Sequence, residues 1–315
     1  MTRKRTDKPF LGTLPGLILG CLISCGLWGS AYPCVKIGYD LFGITGSDVA
    51  SRLVFAGTRF TIAGIMVVVG VSIAQRRALL PAKRDLGAIG ILALFQTVLQ
   101  YFFFYGGLSH AAGVTSSIIG AAAYFFAILF AALIFKTENL TRKAVIGCTI
   151  GFAGVVLVNL GGSGDTAFSF ALDGEGFILL SSVAGAISTC FIAVLGRTHN
   201  SVLLSGWQFV TGGVVLLGCG LAMGGHLVPT SPAPAVALIL YMGFISAMAY
   251  TLWSRLLAAN PVSRVSIFGF MTPVFGAAMS AVLLGETDAV NPLFALIALA
   301  LVSAGIVIVN RPNSQ

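Results

Sequence analysis

Charge is what this sequence has least of. Only 9% of its 315 residues are Asp, Glu, Lys or Arg, against roughly 25% in soluble domains. A water-soluble fold of this length could not cover its surface with so few charges. Histidine is nearly missing too: His110, His199 and His226 are the full set, in different loops or span ends. No carboxylate lies inside any apolar run. There is accordingly no metal set, no nucleophile–base pair and no phosphate-cradling loop. The GLSHAAG stretch around His110 lacks the strand that must precede a nucleophile elbow. The sequence therefore predicts no enzyme, no cofactor and no metal. The cysteines, at 21, 25, 34, 148, 190 and 219, all lie in apolar runs. They show neither zinc spacing nor a disulfide framework and read as small buried thiols.

What fills the chain instead is hydrophobic residues, 57% of the total. They come in runs long enough to cross a hydrocarbon core of about 30 Å. Ten spans are predicted, at 14–38, 51–75, 86–108, 114–135, 144–160, 176–196, 203–224, 234–256, 264–284 and 292–310. The first follows MTRKRTDK, but it is too long for a signal peptide and ends at Pro33-Cys-Val-Lys36 rather than at a small-residue cleavage site. The net charge of +8 would suit nucleic acid, yet its distribution excludes that partner. Fifteen of the 18 Lys and Arg fall in short segments that share one side if the spans alternate: Arg3 to Lys8, Arg76 to Arg84, Lys136 to Lys143, Arg197, Arg255 with Arg264, and Arg311. Asp40, Asp48, Asp165, Asp173, Glu175, Glu286 and Asp288 fall on the other side. The positive-inside rule then places both termini in the cytoplasm of a multi-pass protein of the inner or plasma membrane, with the lipid bilayer as its surroundings.

The chain also writes itself twice. Gln96 to Glu138 reads as two apolar helices joined by a tight turn, and Phe244 to Glu286 repeats it 148 residues later. GTRFTIAG (57–64) matches GWQFVTGG (206–213), so Gly57, Phe60 and Gly64 fall on Gly206, Phe209 and Gly213. Five spans per copy is an odd number, so the second copy crosses the membrane in the opposite sense. The expected fold is all-α: ten transmembrane helices as two inverted five-helix repeats around a central cavity, with a solute site near the midplane. Residues 1–160 form the first repeat, 161–175 the joining loop and 176–315 the second repeat. Gly147 with Gly151 and Ala300 with Ala304 are small-xxx-small steps in spans 5 and 10. They serve packing within the monomer or a homodimer face.

Polar and aromatic side chains in the spans mark the candidate site. Gln96 and Gln100 lie four apart and so on one helical face. They are either hydrogen-bonded glue between helices or cavity lining. Trp28 and Tyr32, with Ser24 a turn earlier, are midspan aromatics, deeper than the usual interfacial belt. They read as core or as pore lining. Tyr101, Tyr124, Tyr250, Trp253 and Thr272 complete the set. Pro33 and Pro273 remove helix bonds to the carbonyls of Gly29 and Gly269 and are candidate kinks or gating pivots. Arg59 is the one clear charge within a span. It can snorkel, pair with Asp48 or a loop carbonyl, or meet a solute carboxylate, and the reading favours the structural roles. Glu138 and Glu286 occupy matched helix ends and read as structural.

WGSAYPCVKIG in span 1, RFTIAG in span 2, GEGFILLSS opening span 6 and the Pro-bearing span 9 ending LLGE resemble the drug/metabolite transporter superfamily, and within it the EamA-type permeases. The resemblance covers nearly the whole chain. It implies an exporter of small metabolites such as amino acids, with spans 1, 3, 4, 6, 8 and 9 around the solute and spans 5 and 10 peripheral. Export of drugs or of purines and nucleosides is the alternative, and a non-transporting scaffold or sensor is the alternative of another class. The small four-span relatives that export cationic drugs carry a membrane Glu in their first span; this chain has Trp28, Gly29 and Ser30 there. That departure points away from cationic drugs and towards neutral zwitterionic solutes.

Overall fold

The computed structural model describes residues 10–108, 110, 113–160, 171–284 and 292–311. Most of the joining loop lies outside these residues, as do Glu286, Asp165 and Asp288. The described residues form ten helices and no strand. They are α1 (Leu14–Leu41), α2 (Val49–Ala74), α3 (Lys83–Leu108), α4 (Gly113–Leu133), α5 (Arg142–Leu160), α6 (Leu172–Leu195), α7 (Ser201–Ala222), α8 (Pro232–Ala259), α9 (Val262–Leu284) and α10 (Pro292–Asn310). Among the described residues nine of them are long and apolar enough to cross a membrane; α5, with 19 residues, is the other. The predicted spans fall within these helices to within a few residues, α1 and α8 each reaching about three residues further than expected. The chain is an all-helical membrane protein.

Local chemistry sets the helix ends. Thr13 Oγ1 accepts from the Gly16 N–H at 3.3 Å at the start of α1. Asp48 caps α2 through Ser51 N at 2.9 Å, and Asn200 caps α7 through Val202 N and Leu203 N. These side-chain oxygens take up amide donors that a helix start leaves unpaired. Gly224, at φ +87, ends α7 in the left-handed region where a side chain would be strained.

The helices alternate in direction. One end of the bundle, called here the near end, holds the starts of α1, α3, α5, α7 and α9 and the finish of α10. Lipid offers helices no hydrophobic reason to associate, so small residues that let backbones approach are what hold them together. The α2–α7 crossing shows this. Gly57 and Gly64 on α2 meet Gly213 and Gly206 on α7. A Cβ on Gly213 would lie 2.5 Å from Thr61 N, and one on Gly64 2.5 Å from Val210 N. At the same crossing Phe60 and Phe209 stack, 5.3 Å between centroids and 1° between planes. The glycines and phenylalanine that the sequence repeats are thus the crossing itself.

Elsewhere α5 pairs with α10, α4 with α6, α1 with α9 and α8, α3 with α6 and α7, and α2 with α8. Replacing every helix by the one five places along maps these pairs onto one another, whereas the lesser α6–α8 and α5–α9 contacts have no such counterpart. The small-residue step on α5 is used inside the chain: Gly147 lies against Gly305 on α10, and Gly151 against Phe270.

Two helices depart from α geometry. Residues Ala93–Leu99 of α3 form a π-helical turn, and Ile267–Phe270 of α9 a 3-10 turn. The second sits directly before Pro273, where the pyrrolidine ring forbids the α-helical bond. By contrast α1 runs unbroken through Pro33. The five cysteines 21, 25, 34, 148 and 190 are buried and all six are free thiols.

Candidate functional site

Five helices converge on one aromatic cluster at mid-depth. Trp28 of α1 meets Tyr250 and Trp253 of α8 edge-on, at 4.9 and 5.0 Å. The Tyr250 hydroxyl is hydrogen-bonded to that of Tyr101 on α3 at 2.6 Å. Tyr101 packs on Phe60 of α2 at 4.4 Å, and Phe209 of α7 touches both Phe60 and Tyr250. Such offset and edge-on contacts suit the ring quadrupoles, each about 0.5–1.5 kcal/mol beyond burial. The cluster offers flat apolar faces with a few polar edges, the usual make-up of a small-molecule site.

The facing wall comes from α1, α4 and α9. Tyr124 lies edge-on to Phe270 at 5.7 Å. A side chain at Gly269, in the 3-10 turn, would collide with the Tyr124 ring, so glycine there makes room for it. Cys25 Sγ donates to the Phe268 carbonyl at 3.2 Å, which occupies one acceptor in that broken segment. Tyr32 packs against Gly276 yet is 43% exposed. Ten buried polar atoms among the described residues have no hydrogen-bond partner, Trp28 Nε1 and Thr272 Oγ1 among them. Orphaned buried donors of this kind are rare and call for an explanation; a bound polar solute supplies one.

Of the residues expected to bind, Trp28, Tyr250 and Trp253 therefore share one cluster, and Tyr32, Tyr124 and Thr272 lie on α1, α4 and α9 nearby. The two amides divide. The Gln100 amide lies against Gly185 of α6, and Ser181 Oγ donates to the Gln100 carbonyl at 2.7 Å. Gln96 is buried and lines a small separate cavity with Ile192, Ser201, Leu204, Ser205 and Ser254 towards the near end. Both amides thus meet α6, Gln100 at Gly185 and Gln96 beside Ile192, and they divide along that helix, with the π turn between them.

Four participants were missed or underweighted. Tyr101 is the link between the two halves of the cluster, and its only sequence signal was its place beside Gln100. Phe60 and Phe209 were visible as repeat matches but not as neighbours. Arg59 is 5% exposed, with its guanidinium 4.3 Å from the Phe60 ring and 5.7 Å from that of Tyr101. Its Nε has no partner, and the ion pairs among the described residues, Arg84–Asp85 and His199–Asp85, do not include it. Cation–π contacts contribute about 0.5–2 kcal/mol. Taking a guanidinium out of water costs on the order of several kcal/mol, so the rings offset only part of the cost.

Hydrogen bonds tie the helices together at the near end. Asn260 Nδ2 donates to the Leu11 carbonyl at 2.8 Å, and Arg264 Nε to Asn310 Oδ1 at 3.1 Å. Glu138, after α4, accepts from Ser263 N at 2.9 Å and Ser263 Oγ at 3.0 Å at the start of α9. Burial pushes the Glu138 carboxyl above its ordinary 4.5, outweighing the bonds from Ser263 and the charge of Arg197 that pull it down. A carboxyl raised on folding holds its proton more tightly in the folded state. Its contribution to stability is complete below about 4.5 and is lost as pH rises through the raised value. Thermal unfolding in detergent should therefore show wild-type protein gaining stability on acidification through this window. Glu138→Gln should lack that part of the slope.

Among the described residues no group of three or more His, Cys, Asp or Glu could hold a metal ion.

Residues 14–160 and 172–311 match the EamA-like transporter family. The chain is 26% identical over 292 residues to a probable terminal-alkyne amino-acid exporter of Streptantibioticus cattleyicolor, covering 90% of each chain. It is 28% identical over 266 residues to an uncharacterized transporter of Archaeoglobus fulgidus, covering 82% of this chain and 87% of that one. A solved crystal structure with 18% identity superposes with a TM-score of 0.75 over 95% of this chain and 97% of the other, a likeness in fold alone.

Proposed function

This chain belongs to the EamA-like transporter family, and we propose that it is a secondary transporter that exports small metabolites, neutral amino acids foremost, by alternating access at the Trp28–Tyr101–Tyr250–Trp253 cluster. The observation that carries this reading is the cluster itself. Aromatic faces from both halves of the chain meet at mid-depth, with Trp28 Nε1 and Thr272 Oγ1 left for a polar solute to satisfy. Stacking surfaces and neutral donors suit a zwitterion with an aromatic or aliphatic side chain. No described carboxylate lies in the cluster, which speaks against cationic drugs.

Alternating access needs two halves that rock against each other. We take 1–160 and 176–315 as those halves, inverted relative to each other, with 161–175 joining them. The main helix pairs, which a five-place exchange maps onto one another, support this, as do the two family matches, which break within the joining loop. The π turn of α3 and the 3-10 turn of α9 fall on helices that the repeat does not match to each other, one in each hairpin, and are the natural points of bending. Pro33 lies in an unbroken helix and is the weaker pivot. In this reading the near end is cytoplasmic, as the lysine and arginine distribution requires. The solute and the lipid of the cell's inner membrane are the partners. The reading needs no second copy, because the α5–α10 glycine step is occupied within the chain.

Counterflow in proteoliposomes tests it. Protein loaded with unlabelled L-phenylalanine, L-leucine, adenine or a quaternary ammonium should accumulate label from the neutral amino acids. Label accumulating only with the purine or the drug would move the substrate class. Absence of accumulation with every solute would favour a scaffold or sensor.

A further inference from the structure

Fifteen of the 18 lysines and arginines lie in the terminal segments or in connections at the near end. The three that remain are Lys36, Arg52 and Arg59. Lys36 is exposed on α1, towards the far end. Arg52 and Arg59 are seven residues apart on α2, two turns along one face, so their Cα atoms are separated by roughly 10 Å along the axis. Both are more than nine-tenths buried, at 6% and 5% exposure. Both carry unpartnered atoms: Nε and Nη1 of Arg52, and Nε of Arg59. Arg52 lies over the Tyr39 ring at 5.1 Å near the far end, with Asp48 within electrostatic reach at the mouth. Arg59, deeper, faces Tyr39, Tyr101, Tyr105 and Tyr250. No described carboxylate pairs with it.

An arginine cannot shed its charge, and a buried one without a counter-ion marks a functional position. We propose that Arg59 binds the carboxylate of the solute, with Arg52 as the outer cation on the same path, and that the substrates are organic monocarboxylates carrying an apolar or aromatic group, zwitterionic amino acids included. This rests on the transport reading above and names its substrate class. The geometry joins charge to platform in one step. The Tyr101 ring under Arg59 shares its hydroxyl bond with Tyr250, which packs on Trp28. A carboxylate at Arg59 thus places the rest of the solute towards Trp28 and Trp253. The matched position in the other half shows what absence of this role looks like. Gln208 stands there, fully buried and neutral, with its Oε1 accepting from Thr97 Oγ1 at 2.8 Å and its Nε2 unpartnered. One cation and one neutral amide give one carboxylate site per molecule.

The test compares L-phenylalanine with its carboxamide, phenylalaninamide, in binding and counterflow by protein in nanodiscs and proteoliposomes, with chloride and phosphate as competing anions. Wild-type protein should prefer the acid by roughly thirtyfold or more, the factor for losing one partner of a buried charge pair. Arg59→Gln should remove that preference by weakening the acid alone, and Arg59→Lys should restore part of it. Equal handling of acid and amide by wild-type protein would overturn the assignment while leaving the transport reading standing. Displacement of L-phenylalanine by millimolar chloride or phosphate would overturn it in favour of an inorganic anion site. Failure of every organic solute to bind or move would overturn both readings. If Arg59→Gln does not fold, the wild-type comparison decides alone.

Discussion

Valine at Gly213 should cost this protein its fold. At the α2–α7 crossing the Gly213 Cβ position lies 2.5 Å from Thr61 N and 3.0 Å from the Gly57 carbonyl. Both neighbours are backbone, so no rotamer can relieve the overlap and the helices must separate. Overpacking a tight contact costs about 1–3 kcal/mol, more where the backbone has to move. Separation would also unstack Phe60 from Phe209 and shift Arg59. Gly213→Val should give little monodisperse protein in size-exclusion chromatography. Gly218→Ala, on the same helix but facing open space, should keep the wild-type yield and gain a few tenths of a kcal/mol to about 1 kcal/mol from helix propensity. A normal Gly213→Val yield would mean that the crossing is not what joins the halves.

Trp28→Ala should have the largest effect on activity among variants that fold. Trp28 touches Tyr250 and Trp253, and its Nε1 is an unspent donor. Truncating an aromatic anchor in an enclosed site costs about 2–4 kcal/mol of binding, or a thirtyfold or greater loss of affinity. The loss should appear as a raised KM for counterflow, with folded monomer retained. Trp28→Phe, which keeps a ring but no donor, should fall between. Wild-type kinetics in Trp28→Ala would remove the cluster from the solute path.

Much of this was legible from the residues. The charge deficit and the one-sided lysines and arginines led to ten spans, and the described helices follow them closely. The GTRFTIAG and GWQFVTGG match named the glycines of the α2–α7 crossing, though not that they touch each other: a linear match says two segments are alike and leaves open whether they meet. Pro273 announced a broken helix, and the break lies just before it because the lost bond belongs to the preceding turn. The midspan aromatics Trp28, Tyr250 and Trp253 could be found by depth alone. The depth at which Gln96 and Gln100 meet α6 could not be read, because the π turn of α3 has no sequence signature here. Arg59 was weighed as structural because a snorkelling or paired arginine is the commoner case. That no described carboxylate pairs with it is a fact of three dimensions, since Asp48 lies within electrostatic reach of Arg52 in the fold.

The account depends on solute resting against the aromatic cluster, and the chain's own tryptophans can report it. There are three, Trp28, Trp207 and Trp253. Trp207 lies apart, its Nε1 donating to the Leu79 carbonyl at 2.7 Å. In Trp207→Phe protein all tryptophan emission comes from the cluster. Titration with L-phenylalanine, itself dark at tryptophan excitation wavelengths, should change that emission saturably, with a half-point that matches the counterflow KM. Saturable counterflow with emission unchanged throughout the titration would place the solute elsewhere and contradict the account.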